Sequence, residues 1–208
     1  MARQNWKGSV LLAPVPAVMV SCGDEEQSNI ITVAWTGVLC THPPKTYVSI
    51  RPQRHSYNLI KKTGEFVINI PSADIAKAID FCGIYTGAKV DKFERCKLTR
   101  TPSKEVSAPT IAECKVALEC RVCDVVPLGT HDMFVADIVS VSVDDSILDE
   151  NGKLCMERAN LCAFAHGEYF TLGKKVGEMG FSATKKRPFT QKNNAKKGKS
   201  KQPPSNKK

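Results

Sequence analysis

The sequence predicts a mainly β fold, an antiparallel barrel carrying a few short helices, and three observations carry that expectation. Apolar β-rich runs recur at residues 15–21, 30–36, 46–51, 66–70, 115–126 and 133–143. Most are bounded by Gly, Pro or Asp, which gives at least six strands. The runs do not alternate regularly with helices, as a doubly wound α/β fold requires.

The first run could be misread. Arg3 and Lys7 precede apolar residues 10–20, which end at Ser21-Cys22 and resemble a secretory signal with a lipid-modified cysteine. Pro14 and Pro16 would break a signal helix but suit the start of a strand at a sheet edge. No other apolar stretch approaches the ~20 residues that span a bilayer, so no membrane association is expected. Between the strands, Ser56 reads as the N-cap of a helix over 57–63 closed by Gly64, and Ser72 as the cap of a helix over 73–81 closed by Gly83. Cys120 and Cys123 form a C-x-x-C, but the alternating pattern around them puts the two on opposite faces of a strand, where they cannot readily share a metal. They are expected as packing cysteines.

Charge is unevenly spread. The 208 residues carry 30 Lys plus Arg and 21 Asp plus Glu, a formal +9. Residues 185–208 hold nine Lys, Arg187 and no acid, leaving residues 1–184 close to neutral. The expected organisation is therefore one domain over 1–184 and a disordered, Lys-rich tail over 185–208. A nucleic-acid-binding fold is disfavoured, because that binding needs cations on the folded surface. Nine Cys, an odd count in a chain long enough to form a core unaided, point to free thiols and a cytoplasmic, reducing setting.

Protein-supplied catalysis leaves no trace. His42, His55, His131 and His166 are scattered without metal spacing, so no metal site is expected, and neither a nucleophile elbow nor a phosphate loop is present. A polar cluster stands out instead: Thr32, Trp35 and Thr36 on or after one strand, Ser49 and Arg51 on the next, then Arg54-His55-Ser56 at a helix start. Free N–H groups at such a start, flanked by Arg and His, suit a phosphate. The same residues also describe an ordinary capped helix with solvated charges.

The ordered set of motifs resembles the flavin reductase-like family, and within it the flavoredoxin group. The residues are Asn29-Ile-Ile-Thr-Val-Ala-Trp-Thr-Gly37, Pro43-Pro44, Ser49-Ile-Arg-Pro-Gln-Arg-His-Ser56, Gly64-Glu-Phe-Val-Ile-Asn69, Thr86-Gly-Ala-Lys-Val-Asp-Lys-Phe93, Gly129-Thr-His-Asp-Met-Phe134 and Tyr169-Phe-Thr-Leu-Gly173. The resemblance implies a six-stranded antiparallel split β-barrel that binds FMN, as a homodimer with the flavin near the subunit interface. It places the flavin ring against the backbone of Val33, Ala34, Trp35, Thr36 and Gly37, with Thr32 also among the cofactor-binding residues, and the phosphate against Ser49, Arg51, His55, Ser56 and Lys92. Ala88 and Lys89 stand where relatives often carry Arg and Asp, which leaves the phosphate role of that stretch to Lys92. Trp35 either shields the ring or packs in the core, and His131 either approaches the ring or caps a turn. The implied function is an FMN-dependent oxidoreductase passing electrons from reduced nicotinamide, NAD(P)H, or a protein donor to a second acceptor, with chemistry supplied by the flavin. A non-enzymatic FMN electron carrier and tail-mediated binding of acidic partners are the alternatives.

Overall fold

Strand pairing follows from residues that are apolar on both faces at the centre of the sheet and on one face at its margins. The computed structural model describes residues 1–183; the basic segment expected as a tail lies outside the described residues. In chain order the strands are β1 (Val15–Pro16), β2 (Val18–Gly23), β3 (Ser28–Val33), β4 (Thr36–Thr41) and β5 (Pro44–Ile50), followed by helix α1 (His55–Thr63) and β6 (Glu65–Ile70). Helices α2 (Ala76–Ile84) and α3 (Lys92–Cys96) come next, then β7 (Arg100–Thr101), β8 (Thr110–Ile111), β9 (Val116–Pro127), β10 (Asp132–Val143), β11 (Cys162–Ala165) and β12 (Glu168–Thr171). Seven strands form one antiparallel sheet in the order β3-β2-β6-β9-β10-β5-β4. A three-stranded sheet joins β1, β11 and β12, and β7 pairs with β8. Residues 1–174 form one compact unit, and beyond it Lys175 pairs with Glu178 at 2.9 Å.

All six strands expected from the sequence are present, and β4 is a seventh. It is largely exposed, with Val38 at 74 % and Leu39 at 48 %, and it pairs only with β5 through a short turn at His42-Pro43. An exposed edge strand lacks the buried alternation that marked the other six.

The two faces of β2 show how the layers are built. Val18, Val20 and Cys22 point into the barrel, where they meet Phe66, Phe134 and Ile50. Ala17 and Met19, of opposite parity, point outward to Ile79 and Cys82 of α2 and Phe93 of α3. Every residue of β2 is buried as a result. Pro14 and Pro16 lie just before it, as expected of a strand start at a sheet margin, and Pro16 pairs with Ala163. Asn69 on β6 satisfies the buried polar groups between these layers: its Nδ2 donates to the Met19 carbonyl (3.0 Å) and Ser21 Oγ (2.9 Å), and its Oδ1 accepts from the Ile111 N–H (2.9 Å).

Both helix starts differ from the expectation. Arg54, not Ser56, is the N-cap of α1, and no side chain caps it; Gly64 closes the helix at φ 69°, as expected. Ser56 is instead buried one residue inside the helix, where its Oγ accepts from Asn29 Nδ2 at 2.8 Å. A serine hydroxyl that is buried and bonded to a neighbouring strand has no reason to cap. Ser72 does cap, but a single 3₁₀ turn over Ala73–Ile75, after which α2 runs on through Gly83 to Ile84. Gly83 faces Thr32 of β3, where a Cβ would make ordinary contact at 3.4 Å, so it neither closes the helix nor is required by packing. Cys120 is fully buried and Cys123 exposed, so the C-x-x-C straddles the sheet.

Phe134 is fully buried at the centre of the barrel, edge-on to Tyr57 at 5.2 Å between ring centroids. Phe134→Ala should cost about 3–5 kcal/mol by removing that packing and leaving a cavity. Urea unfolding should show a lower midpoint at unchanged slope.

Candidate functional site

The two margins of the seven-stranded sheet, β3 and β4, are consecutive in sequence and joined only by Ala34 and Trp35. The chain therefore crosses the split in the barrel in two residues. There the Trp35 carbonyl accepts from the Ser49 N–H of β5 at 2.9 Å. On this crossing sits a cleft of 330 Å³ lined by residues 31–35, Ser49, Ile50, Arg51, Arg54 and His131. That volume lies in the range of small-ligand sites.

The cleft's charge is one-sided. Arg51 and Arg54 are in no ion pair among the described residues, and no acid lines the cleft. His131 lies at the tip of the β9–β10 hairpin, where Gly129 takes φ 92° and the Leu128 N–H donates to the His131 carbonyl at 2.9 Å. Its Nε2 accepts from Arg51 Nε at 3.4 Å, and its Nδ1 is 3.0 Å from Thr130 Oγ1. Since a guanidinium only donates, Nε2 is the unprotonated nitrogen and the proton sits on Nδ1. Burial, and then the charge of Arg51, hold the imidazole below its ordinary value, which keeps it neutral. The His131 ring lies 4.3 Å from the Trp35 ring, and Trp35 is 42 % exposed, which removes it from the core.

Of the residues singled out in the sequence, the cleft gathers Thr32, Val33, Ala34, Trp35, Ser49, Arg51 and His131. Five others lie elsewhere. Thr36 turns back onto the sheet, its hydroxyl donating to the Tyr47 carbonyl at 2.6 Å, and Gly37 packs beneath the Tyr47 ring, where a Cβ would come within 3.2 Å. His55 lines a separate hollow with Gly87, Lys89, Asp91 and Arg100. Ser56 is committed to Asn29. Lys92 is 3 % exposed, and its Nζ donates to the carbonyls of Ile30 (2.7 Å) and Cys82 (2.8 Å), behind β3. Burial lowers the Lys92 pKa, and the charge of Arg54 lowers it further. Sequence reasoning placed Arg54 in the polar cluster at the helix start, but the residues implied by the family resemblance did not include it. Its signal was its position as the last residue before the helix. Gly87 is the reason that Asn29 and Ser56 can meet: a Cβ at 87 would lie 2.2 Å from Asn29 Oδ1. A larger hollow of 660 Å³ beside Asp24, Ser28 and Thr101 offers no free cation, since its Arg100 pairs with Asp91 at 2.7 Å.

Comparison with known proteins agrees with this geometry. A family model described as the flavin reductase like domain matches residues 11–173. The chain belongs to the flavin reductase-like family. The flavoredoxin of Desulfovibrio vulgaris (Miyazaki F) superposes with a TM-score of 0.82 at 30 % identity, covering 88 % of this chain and all of that one. The flavoredoxin from Methanosarcina acetivorans gives 0.79 at 24 % identity, again over 88 % and 100 %. In sequence, a protein of Archaeoglobus fulgidus is 36 % identical over 138 residues, 66 % of this chain and 77 % of its own length. The flavin reductase-like fold is thus a split barrel, mainly β, and its opening is the crossing at Ala34-Trp35. Among the described residues no helix is long and apolar enough to cross a membrane.

Replacing Arg51 by Ala should raise the His131 pKa toward, but not to, its ordinary 6.5, because the larger cause, burial, remains. NMR titration of the imidazole in both proteins reads the difference. Because the lowered pKa makes the folded state bind fewer protons than the unfolded one, stability at this site should rise with pH between the folded value and 6.5.

Proposed function

We propose that the protein is an FMN-dependent oxidoreductase whose flavin occupies the cleft between Thr32 and His131. The observation that carries this reading is the pair of guanidiniums, Arg51 and Arg54, facing one cleft without an acid partner. An anion with a single terminal phosphate suits such a one-ended charge, and this favours FMN over a dinucleotide. Ser49 adds a neutral donor beside them, and Lys92 adds positive potential from behind β3. The backbone from Val33 to Trp35, with the Trp35 ring, forms the opposite wall, against which a planar ring system would lie. Neutral His131 presents Nδ1–H toward Thr130 and lies tilted against the Trp35 ring, which holds the hairpin tip over the cleft.

When bound, the flavin supplies hydride and single-electron transfer, and the protein's part is to place it and to tune its charge. Cationic and N–H groups along the cleft favour an anionic reduced ring. The donor in this reading is reduced nicotinamide or an electron-transfer protein, and the electrons leave to a second acceptor. The working state is a homodimer in a cytoplasmic, reducing setting. The exposed Val38 and Leu39 next to the site support the dimer, and nine free cysteines support the compartment.

Protein purified and denatured should release FMN, identified by its mass, or the refolded apoprotein should take it up from solution. A colourless protein that fails to take up FMN, or one that binds only FAD, overturns the proposal. Arg51→Ala and Arg54→Ala should each weaken FMN binding by about ten- to a hundred-fold, the range of one charge-assisted contact. Isothermal titration with FMN measures this, and unchanged affinity in both variants would place the phosphate elsewhere.

A further inference from the structure

Four cysteines gather in the outer apolar layer between β2 and the helices: Cys82, Cys96, Cys114 and Cys162. The only cysteine pair in sulfur contact among the described residues is Cys82 and Cys96, with 4.0 Å between their Sγ atoms. Both are free thiols. Cys82 lies in the last turn of α2 and is fully buried; Cys96 ends α3 and is partly open to solvent. Between them in sequence, Lys92 clamps the Cys82 carbonyl, and the fully buried Phe93 anchors α3 in the layer. These contacts hold the two sulfurs facing each other from separate helices.

We propose that Cys82 and Cys96 form a reversible disulfide that staples α2 to α3. The sulfurs need to close by about 2 Å to reach bonding distance. The oxidant is a small-molecule disulfide. The Cys96 thiolate attacks one of its sulfurs, breaking that S–S bond and releasing a thiolate that takes up the proton Cys96 gave away. The Cys82 thiolate then attacks Cys96 Sγ of the mixed disulfide, forms the Cys82–Cys96 bond and expels the second small thiol. The protein loses two electrons and two protons, and the oxidant becomes two thiols. Cys96 is the point of attack because only it meets solvent, and Cys82 is the resolving partner because it is the sulfur in contact. Burial pushes the Cys82 thiol up to about 12 and raises Cys96 as well, so the pair exchanges slowly and responds to sustained oxidation.

The test equilibrates the full-length protein in oxidised and reduced glutathione, quenches with acid, alkylates and digests with trypsin. The expected product joins the peptide 78–89 to the peptide carrying Cys96, two hydrogens lighter than the separate pair and lost on treatment with dithiothreitol. The linked protein should melt at a higher temperature than the reduced one, because the bond restricts the unfolded chain. Cys82→Ser should leave Cys96 carrying glutathione, and Cys96→Ser should remove the link. The proposal fails if the unsubstituted protein, with glutathione on exposed Cys40 and Cys123, yields Cys82 and Cys96 both alkylated, or Cys96 as a lasting mixed disulfide. A link from Cys82 to Cys114 fails it equally.

Discussion

The hydrogen bond from the Ser49 N–H to the Trp35 carbonyl fixes where the barrel is split and therefore where a ligand can enter. β3 is paired on one side by β2 and β4 on one side by β5, so each leaves an unpaired edge, and the two-residue crossing brings the chain from one edge to the other. Without a bond from β5 to the crossing, the segment 34–35 would be a loop spanning open backbone. With it, the wall of the cleft is held in register with Arg51, two residues beyond Ser49. The β9–β10 hairpin adds His131 because β10 pairs with β5, Asp132 opposite Ile50, and so its tip ends beside the start of the Arg-rich turn.

Behind that wall, buried polar groups find partners within the protein. Lys92 directs its Nζ to two carbonyls, one of them from β3, while burial disfavours its charged form. Its contacts are structural, and the charge of Arg54 lowers its pKa further. Tyr57 ties α1 to the start of β10 through Asp132 at 2.7 Å, so the Arg54 turn is bounded by helix and hairpin together.

Sequence patterning made the barrel legible because six of its strands bury one or both faces, and apolar alternation records burial. It failed at β4, which is exposed, and at β11 and β12, whose short runs lie after a long irregular stretch. Capping rules located both helices but misplaced their starts, since they assume that a serine near a helix start bonds to its own backbone. Ser56 bonds to Asn29 of another strand, and nothing local reveals a partner 27 residues away. The same limit applies to the candidate site. Residues 32–35, Ser49 and Arg51 were readable because they sit at strand ends facing one opening. Lys92 and His55 were grouped with them by sequence motif, but helix direction sends Lys92 behind β3 and His55 into a different hollow.

Gly87 extends the cleft's dependence to a surface loop that does not line it. A side chain at that position needs the Asn29 amide to move, for even a methyl group would overlap it. Displacing that amide would release Ser56 in the first turn of α1, and the residue two positions earlier is Arg54. Variation at residue 87 would thus be felt as a shift of charge at the cleft, through one amide and one hydroxyl. A substitution in this part of the surface would therefore reach a pocket it never touches.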